Sequence, residues 1–568
     1  MPVNRKGQSF AAGAATLMAA ALIVKVIGML FKIPLTRMLG GEGMGYYMTA
    51  YSIFNPICAL CVAGFPVAVS RLTAASLANH RREEPRRILT VALLLFLPMG
   101  LLCSAGIYLA APFFVRIVGN EAALGAVRAI APAVFFCCIS AVFRGYYEGG
   151  RNMVPTAVSQ VVEASVKLGA GILCAMHCLE TELGHFTAGE PVCGVTVSSL
   201  EEAQMVIAPY AAAAAIIGVT VSTLAGCLAL ALAYFGEPHT GSDRIGAAGM
   251  IHYSKNLLVT ALPVCAGALV VNLSSFVDLM SVINRLNYAV SLGWEALCRS
   301  HPQAGLERME AERVGNFLFG SYSGLAMTIF HLVPAITASL GVCALPLIAS
   351  LAARGSRAQL RRTVESVLRI TVIVALPLGL GMSCMAGQIL QLLFSSNPEE
   401  VSVAAVLLRP LGVAAVFVAV SGCINSMLQA LGYVLVPVRL MLCGAAVKFG
   451  INWALIARPS INILGAPWGT LCCYLTMTLL GCAALERASG GQINLAAIFA
   501  KPLAASLLCC AAAVGCCRLL ASWPQWAATL AAVGAAGAVY LIAVLLMGAL
   551  REEDMELLPR RTKIRKDR

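Results

Sequence analysis

Charged residues are scarce in this chain. Asp, Glu, Lys and Arg make up only 12% of its 568 residues, whereas 59% are hydrophobic and the mean hydropathy is +0.84. A soluble protein of this length needs a far more polar surface, so a soluble globular fold is excluded. Apolar runs of 18 or more nearly uncharged residues recur along the sequence, and each is long enough to cross about 30 Å of hydrocarbon as a helix. The sequence therefore predicts an all-α polytopic membrane protein.

Enzyme motifs are also missing. The sequence has no Walker-type phosphate loop, no HExxH pair and no pair of loop carboxylates in a glycosyltransferase pattern. We therefore predict that the chain is not an enzyme and holds no metal or cofactor. Without an ATP site, transport would depend on an ion gradient, the membrane potential or the flow of substrate, and coupling to a monovalent cation or a proton stays open.

Fourteen apolar segments are candidate membrane spans. Few Lys, Arg, Asp or Glu residues lie inside them, and polar or charged stretches separate most of them. The predicted spans are 10–31, 46–69, 88–112, 123–144, 153–177, 206–234, 256–284, 316–349, 367–393, 402–429, 433–456, 462–485, 497–520 and 525–549.

The basic residues near the ends of these spans and between them are unevenly distributed. If the N-terminus is cytoplasmic, 25 Lys and Arg residues fall in cytoplasmic segments and 10 on the opposite side. Cytoplasmic loops of membrane proteins are enriched in Lys and Arg. The pattern predicts that both termini are cytoplasmic, and it explains the net charge of +13 without a nucleic-acid partner.

An internal repeat of about 280 residues relates the two halves of the chain. Arg128 and Arg409 are 281 residues apart, as are Lys167 and Lys448. The shift equals six spans, and an even shift preserves orientation, so the halves are parallel repeats. The predicted architecture is two six-helix lobes around a central cavity. The boundaries are 1–245 for the N-terminal lobe, 246–490 for the C-terminal lobe, 491–550 for helices 13 and 14, and 551–568 for a basic cytoplasmic tail.

Lys25 and Lys32 place two ammonium groups on the first span. They are seven residues apart and therefore share one helix face, with Gly28 between them. A charge at mid-depth facing lipid costs about 2.5–3.5 kcal/mol or more, so such residues usually face a cavity or a partner. Two cations on one stripe predict a cavity that takes an anionic head group. The alternative is that Lys25 reaches back to the cytoplasmic interface.

Further charged residues within the spans complete the predicted site. Glu163 and Lys167 are four residues apart, in the order that favours an ion pair on a helix. Asp278 is predicted to bind a cation or proton or to pair with Arg285, two turns later. Three groups result: substrate-binding Lys25, Lys32, Asn55 and Arg128; an ion-coupling or structural group of Glu163, Lys167, Asp278 and Arg285; and Arg409 and Lys448 in the cavity of the second lobe.

Four stretches resemble a known family. They are LIVKVIGMLFKIPLTRMLGGEGMGYYMTAYSIF, AGFPVAVSRLTA, FRGYYEGGRNMVPTAVSQVVEASVK at 143–167 and FVDLMSVINRL at 276–286. Together they resemble the stage V sporulation protein B family, the polysaccharide-biosynthesis flippase branch of the multidrug/oligosaccharidyl-lipid/polysaccharide exporter superfamily. The resemblance implies a fourteen-helix, two-lobe fold in the bacterial cytoplasmic membrane that moves lipid-linked saccharides.

The related lipid II flippases have a basic residue that lines the cavity in helix 1, and Lys25 occupies the similar place here. They also have arginines in helices 2 and 8, where this chain has none. The resemblance therefore leaves the substrate open among undecaprenyl-linked sugars and precursors of the spore cortex.

The predicted function is a flippase that exports polyprenyl-pyrophosphate-linked saccharides, as precursors of the cell wall, the spore cortex or a polysaccharide, across the cytoplasmic membrane by alternating access.

 The expected partners are the lipid-linked saccharide and membrane lipids, and we expect a single copy of the chain to be the working unit. A cation-coupled multidrug antiporter of the same superfamily is the alternative, and it would favour acidic and aromatic residues in the cavity. A membrane enzyme such as a lipid-linked sugar polymerase would need a large catalytic loop, for which 179–204 and 285–315 are only modest candidates.

Overall fold

The chain is helical throughout the residues that the structure describes. This computed structural model describes residues 10–81, 83–236, 247–337, 348, 351–352, 356–433 and 435–550. Within those ranges no β-strand occurs, and one isolated bridge joins Val192 to Val195. Helices are expected here because the lipid offers no hydrogen-bond partner for an exposed backbone, and a helix pairs its own polar groups. The prediction of an all-α polytopic membrane protein is confirmed.

Sixteen α-helices lie in the described ranges, and we number them in chain order. They are α1 (Phe10–Ala78), α2 (Glu84–Val118), α3 (Leu124–Gly149), α4 (Val154–Ala188), α5 (Leu200–Phe235), α6 (Ala247–Leu292), α7 (Trp294–Ser300), α8 (Ala311–Gly320), α9 (Met327–Phe330), α10 (Arg357–Cys384), α11 (Ala386–Leu393), α12 (Pro398–Ala430), α13 (Leu435–Leu455), α14 (Gly465–Ser489), α15 (Leu495–Leu519) and α16 (Gln525–Leu546). A π-helical turn, Ser321–Ala326, joins α8 to α9.

Helix α1 folds back on itself at Gly40. Its 69 residues would extend about 100 Å as a straight helix, several times the thickness of a bilayer core. Gly40 has φ 64° and ψ −173°, a backbone conformation that is essentially restricted to glycine. The ring centroids of Phe31 and Tyr47 are 6.4 Å apart although the residues are 16 positions apart, so the two halves of α1 run antiparallel. The segment 32–45, expected to be a loop, is therefore helical up to a single turn.

Twelve helices in the described ranges are long and apolar enough to cross a membrane. The first of these candidates covers both halves of α1, and α6 is not among them although it contains the predicted seventh span. The count of fourteen spans therefore stays a prediction.

Contacts divide the chain into two compact units. One consists of Met1–Leu325 and Ile456–Ile463, and the other of Ala326–Leu455 and Leu464–Arg568. This boundary lies inside the π-helical turn, well past the predicted lobe boundary at residue 245, because α6 and α8 pack against α1. The predicted lobes are defined by the sequence repeat, whereas these units are defined by contacts. The units therefore do not test the predicted lobe boundaries, which stay predictions.

Small residues bring the helices of the first unit close together. A Cβ atom on Gly218 of α5 would overlap the backbone of Gly171 on α4, and one on Gly145 of α3 would lie 2.7 Å from the carbonyl oxygen of Pro66 on α1. Apolar burial does not drive helix association inside lipid, so close packing at small residues takes its place. These crossings hold α1, α3, α4 and α5 in fixed positions relative to each other.

The helices of the second unit also pack closely at small residues, and this unit includes the last two helices, α15 and α16. Gly379 of α10 and Gly412 of α12 lie against each other's backbone. Helices α15 and α16 pack together through small side chains, including Ala505 and Ala536, and the hydroxyl of Tyr540 donates a hydrogen bond to the carbonyl oxygen of Ile373 on α10. The predicted helices 13 and 14 are thus integral parts of this unit.

Candidate functional site

A cluster of cationic and aromatic side chains lies where the two halves of α1 meet α4. We call Phe31, Lys32, Tyr47, Tyr51 and Lys167 the basic-aromatic cluster. The ammonium nitrogen of Lys167 is 5.2 Å from the ring centroid of Phe31 and 4.7 Å from that of Tyr51. Tyr47 and Tyr51, one helical turn apart, have centroids 4.9 Å apart. The hairpin of α1 therefore supplies two ring faces to one lysine.

Two of the three rings are buried more deeply than the charges. Phe31 and Tyr47 are each 1% exposed, whereas Lys32, Tyr51 and Lys167 are half-buried. A cation over an aromatic face gains about 0.5–2 kcal/mol, and more as water is excluded. Lys32 also lies close enough to Lys167 for their charges to repel each other. The cluster thus keeps positive charge at a partly dry position, where an anion would relieve the repulsion.

A glycine on α4 makes room for this arrangement. Gly171 is one turn after Lys167, and a Cβ atom there would lie 2.7 Å from Cε2 of Phe31. Phe31 can press against α4 because residue 171 has no side chain. The position of the ring under the ammonium group of Lys167 therefore depends on Gly171.

Lys25 lies on the exposed side of α1. It is exposed, and its neighbours Leu22 and Val26 are 66% and 50% exposed. A Cβ atom on Gly28 would meet nothing within 4 Å, so this part of the face is open. Lys25 and Lys32 are about 10 Å apart along the helix axis. Asn55 is half-buried one turn after Tyr51, on the same face as that ring.

Glu163 pairs with a residue other than the expected one. Its Oε2 atom is 2.9 Å from a guanidinium nitrogen of Arg144 on α3, and both side chains are largely buried, at 29% and 14% exposed. Ser159 also accepts a hydrogen bond from Arg144, at 3.4 Å. Lys167, expected as the partner from its i+4 spacing, points to the rings instead. Arg144, the last residue of the predicted span 123–144, is therefore an internal residue whose charge is paired.

A polar network joins three helices of the first unit. The side-chain amide of Asn120 donates hydrogen bonds to Oγ1 of Thr49, at 3.0 Å, and to Oδ1 of Asn316, at 2.8 Å. The amide of Asn316 in turn donates to the carbonyl oxygen of Glu42, at 2.7 Å. Asn120 is 5% exposed and Asn316 is 4% exposed. These bonds tie α1, the end of α2 and α8 together beside the Gly40 turn.

Two asparagines on α6 extend this network. Asn284 donates to the carbonyl oxygen of Ile117, at 2.7 Å, and Asn287 donates to that of Gly119, at 3.2 Å. Close backbone contact accompanies the polar bonds, since a Cβ atom on Gly320 of α8 would overlap the carbonyl oxygen of Gly41. We call Glu42, Thr49, Asn120, Asn284, Asn287 and Asn316 the polar closure.

The other predicted site residues lie apart from the basic-aromatic cluster. Arg128 is exposed near the start of α3, with its guanidinium carbon 5.3 Å from the ring centroid of Tyr108. Asp278 is 7% exposed on α6, and Arg285 on the same helix stacks on Tyr288 at 5.5 Å.

In the second unit, Arg409 is exposed and Lys448 is buried. Arg409 lies on α12, and Lys448, which is 2% exposed, lies on α13. Among the described residues no group of three His, Cys, Asp or Glu side chains is placed to hold a metal ion.

Sequence reasoning missed Tyr51, Arg144 and the asparagines of the polar closure. A local sequence pattern could have indicated Tyr51 and the two asparagines of α6. Tyr47 and Tyr51 are spaced i, i+4, and Asn284 and Asn287 are spaced i, i+3 within an apolar helix, so each pair forms a polar or aromatic stripe. Asn120 and Asn316 had none, because their partners are 71 to 274 residues away in the chain.

Two family models match this chain. Residues 10–182 match the family described as polysaccharide biosynthesis protein, and residues 321–454 match the family described as MatE. Stage V sporulation protein B from Bacillus subtilis (strain 168) is 24% identical over 97% of this chain and 98% of its own length. The resemblance to the stage V sporulation protein B family is confirmed.

Solved structures have a similar fold. An inward-facing multidrug resistance MATE family transporter of the MOP superfamily has a TM-score of 0.61, with 15% identity, covering 84% of this chain and 99% of its own. The lipid II flippase MurJ, in an inward closed conformation, has a TM-score of 0.58, with 12% identity, covering 93% and 97%. At these identities the likeness concerns the fold.

Proposed function

Because this chain is a multi-pass membrane flippase or transporter of the MOP superfamily and not an enzyme, we propose that it moves polyprenyl-pyrophosphate-linked saccharides across the bacterial cytoplasmic membrane. The cargo is a precursor of the cell wall, the spore cortex or another polysaccharide. Both termini lie in the cytoplasm, and a monomer carries out the transport.

The basic-aromatic cluster is the observation that carries this proposal. Two aromatic ring faces contact the ammonium group of Lys167. Glu163, one turn before Lys167, forms its ion pair with Arg144 instead. The positive charge of Lys167 is therefore available to a phosphate group, and Lys32 places a second ammonium group in the same cluster. Hydrogen bonds to charged groups contribute about 1.5–3 kcal/mol each. Lys25 and Asn55 would extend the binding surface along the two halves of α1.

Movement across the membrane requires that the binding surface open to each side in turn. The polar closure supports this proposal because it joins α1, the end of α2 and α8 by hydrogen bonds, which can be exchanged for bonds to water. A core of interlocked apolar side chains would be far harder to open and reclose. Arg128, Arg409 and Lys448 are further candidates for contacts with the cargo.

The proposal is tested by reconstitution. We would place the purified protein in vesicles with a labelled polyprenyl-pyrophosphate saccharide and measure how fast the label reaches the opposite leaflet. Lys167→Ala should slow transport by about tenfold or more, the loss expected for one charge-assisted contact. Lys25→Ala should slow it less, because Lys25 is more exposed, and Lys25→Glu should slow it more than Lys25→Ala.

Lys501→Ala is the matched control. Lys501 is an exposed lysine near the start of α15, and its ammonium group donates to the carbonyl oxygen of Gly548 at 3.2 Å. It lies outside the proposed site, so this variant should transport at the normal rate. Equal rates for the wild-type protein, Lys25→Glu and Lys167→Ala would reject the anion-binding role.

A cation-coupled multidrug antiporter is the second candidate. The MatE match over residues 321–454 and the fold of the MATE family transporter favour it. In that case expression of this chain should protect cells against cationic drugs, and Lys25→Ala and Lys167→Ala should leave the protection unchanged.

Coupling to an ion is a further part of the proposal. Two buried or largely buried acids, Asp278 and Glu163, are the groups that could take up a proton or a monovalent cation. Transport driven by a pH or sodium gradient should lose its dependence on that gradient in Asp278→Asn or Glu163→Gln, whichever residue is the coupling site.

A further inference from the structure

An open groove of about 650 Å³ runs along one face of α6, away from the sites described above. Its walls are apolar except for two side chains near its start, and Ile251, Val259 and Leu262 are between 63% and 70% exposed. The groove is lined by Met250, Ile251, Ser254, Lys255, Leu258, Val259 and Leu262. These positions repeat every three to four residues, so they form one continuous stripe of the helix.

The length of the stripe matches one leaflet of a bilayer. Twelve residues separate Met250 from Leu262, which is about 18 Å along a helix, and half of a 30 Å hydrocarbon core is about 15 Å. Side chains of a helix lean toward its N-terminus. The ammonium group of Lys255 is therefore drawn toward the level of Ile251, at the end of the stripe nearest the start of α6.

Lys255 keeps its charge free for a ligand. The neighbouring basic residues at the start of α2 already have partners: Arg81 pairs with Glu84 at 2.8 Å, and Arg87 pairs with Glu83 at 3.4 Å. Glu84 also accepts a hydrogen bond from the hydroxyl of Tyr253. Among the described residues no carboxylate pairs with Lys255, which is exposed beside Ser254.

We propose that this groove binds an anionic phospholipid of the surrounding membrane. One acyl chain lies along Leu258, Val259 and Leu262, and the phosphate accepts hydrogen bonds from Lys255 and Ser254. A single basic residue near a membrane surface attracts acidic lipid by about 1 kcal/mol, which corresponds to about a fivefold preference. The site is independent of the proposed cargo, because none of its lining residues belongs to the basic-aromatic cluster.

Native mass spectrometry of the delipidated full-length protein tests this site. The protein is titrated with phosphatidylglycerol or with phosphatidylcholine of the same chains, and the first bound lipid is counted. The wild-type protein should prefer phosphatidylglycerol by about fivefold. Lys255→Gln should remove most of that preference. Lys501→Gln, at an exposed lysine on another apolar helix, should keep it.

A second variant separates the groove from simple charge attraction. Val259→Trp fills the groove but leaves Lys255 in place, so it should weaken binding of both lipids. Three results would overturn the proposal: an unchanged preference in Lys255→Gln, unchanged binding in Val259→Trp, or saturation of the site by a polyprenyl phosphate but not by phosphatidylglycerol.

Discussion

At the scale of single residues, the pair of Arg144 and Glu163 shows how much a buried charge depends on its partner. Removing Arg144 leaves a carboxylate among apolar helices without its guanidinium. Breaking a buried pair in this way costs about 3–5 kcal/mol, whereas replacing both partners by apolar groups is often close to neutral. We expect Arg144→Ala to lower the free energy of unfolding by roughly 3 kcal/mol, a value at the lower end because neither side chain is fully buried.

Unfolding in detergent with denaturant measures this loss. The double variant Arg144→Met with Glu163→Leu should recover most of the stability that Arg144→Ala loses. Arg299→Ala is a suitable control, because its ion pair with Glu295 is 77% and 84% exposed and should contribute little. Equal effects of Arg144→Ala and Arg299→Ala would show that burial of the first pair is unimportant.

His301 is a buried histidine whose titration makes the stability of the folded chain depend on pH. It is 7% exposed and donates to Oδ1 of Asn462 at 2.8 Å. Burial lowers the pKa of His301 below 6.5, and the bond to Asn462 offsets this in part. Below pH 6.5 the unfolded chain therefore binds a proton that the folded loop does not, and stability falls as the pH is lowered toward the folded pKa.

Hydrogen exchange of the loop 293–309 between pH 7.5 and 5.5 measures this effect, after correction for the intrinsic exchange rate. Protection should fall by at most about 1.4 kcal/mol for each pH unit below 6.5. In His301→Gln, which keeps a donor for Asn462 but does not titrate, the loop should respond less to pH. His252→Gln, at an exposed histidine, should behave as the wild type. The same pH response in both variants would contradict the assignment.

At the scale of helices, the crossing of α1 and α4 links packing to binding. Gly171→Ala would place a methyl group 2.7 Å from the ring of Phe31 and force that ring to move. Overpacking of this kind typically costs about 1–3 kcal/mol. We expect Gly171→Ala to lower both thermal stability in detergent and the transport rate, because the ring lies under the ammonium group of Lys167.

Gly169→Ala is the matched control on the same helix. A Cβ atom at Gly169 would meet nothing within 4 Å, and alanine favours the helix over glycine by about 1 kcal/mol. This variant should be as stable as the wild type or more so. If Gly171→Ala behaved in the same way, the ring of Phe31 would not be held by α4.

Hydropathy predicts most helices of this chain but not their contacts. In lipid a helix satisfies its own backbone, so an apolar run of sufficient length largely determines where a helix forms. The partner of Glu163 illustrates what local pattern misses. Spacing along α4 favours Lys167, but Arg144 on α3 provides the shorter contact because tertiary packing brings it to the same place. The sequence therefore named Lys32 and Lys167 of the basic-aromatic cluster but not its tyrosines, and the binding roles of these residues stay predictions.

At the scale of the whole molecule, the polar closure determines how freely the first unit can open. Asn120→Ala removes two buried donors and leaves Thr49 and Asn316 without them, a loss of about 1–3 kcal/mol. Amide hydrogen exchange should therefore become faster in residues 284–292 and 313–320. Asn152→Ala, at an exposed asparagine between α3 and α4, should not change it. Unchanged exchange in Asn120→Ala would mean that the closure is held by other contacts.

The sequence repeat and the compact units divide the molecule differently. The repeat assigns α6 and α8 to the C-terminal half, because it compares residues 281 positions apart. Contacts assign them to the first unit, since Asn284, Asn287 and Asn316 bond to α1 and α2. No property of a single segment encodes which neighbour it will join, so this level of organisation could not be predicted from the sequence.

The turn at Gly40 has a consequence for how variants of this chain survive. A backbone at φ 64° and ψ −173° admits no side chain without strain, whereas a Cβ atom on Gly28 would meet nothing within 4 Å. In a saturation library selected for function, codon 40 should retain glycine alone, while codon 28 should tolerate alanine and serine. Gly40, which has no side chain, therefore fixes the position of the turn between the two halves of α1. Substitutions elsewhere in the hairpin can accumulate only while residue 40 stays glycine.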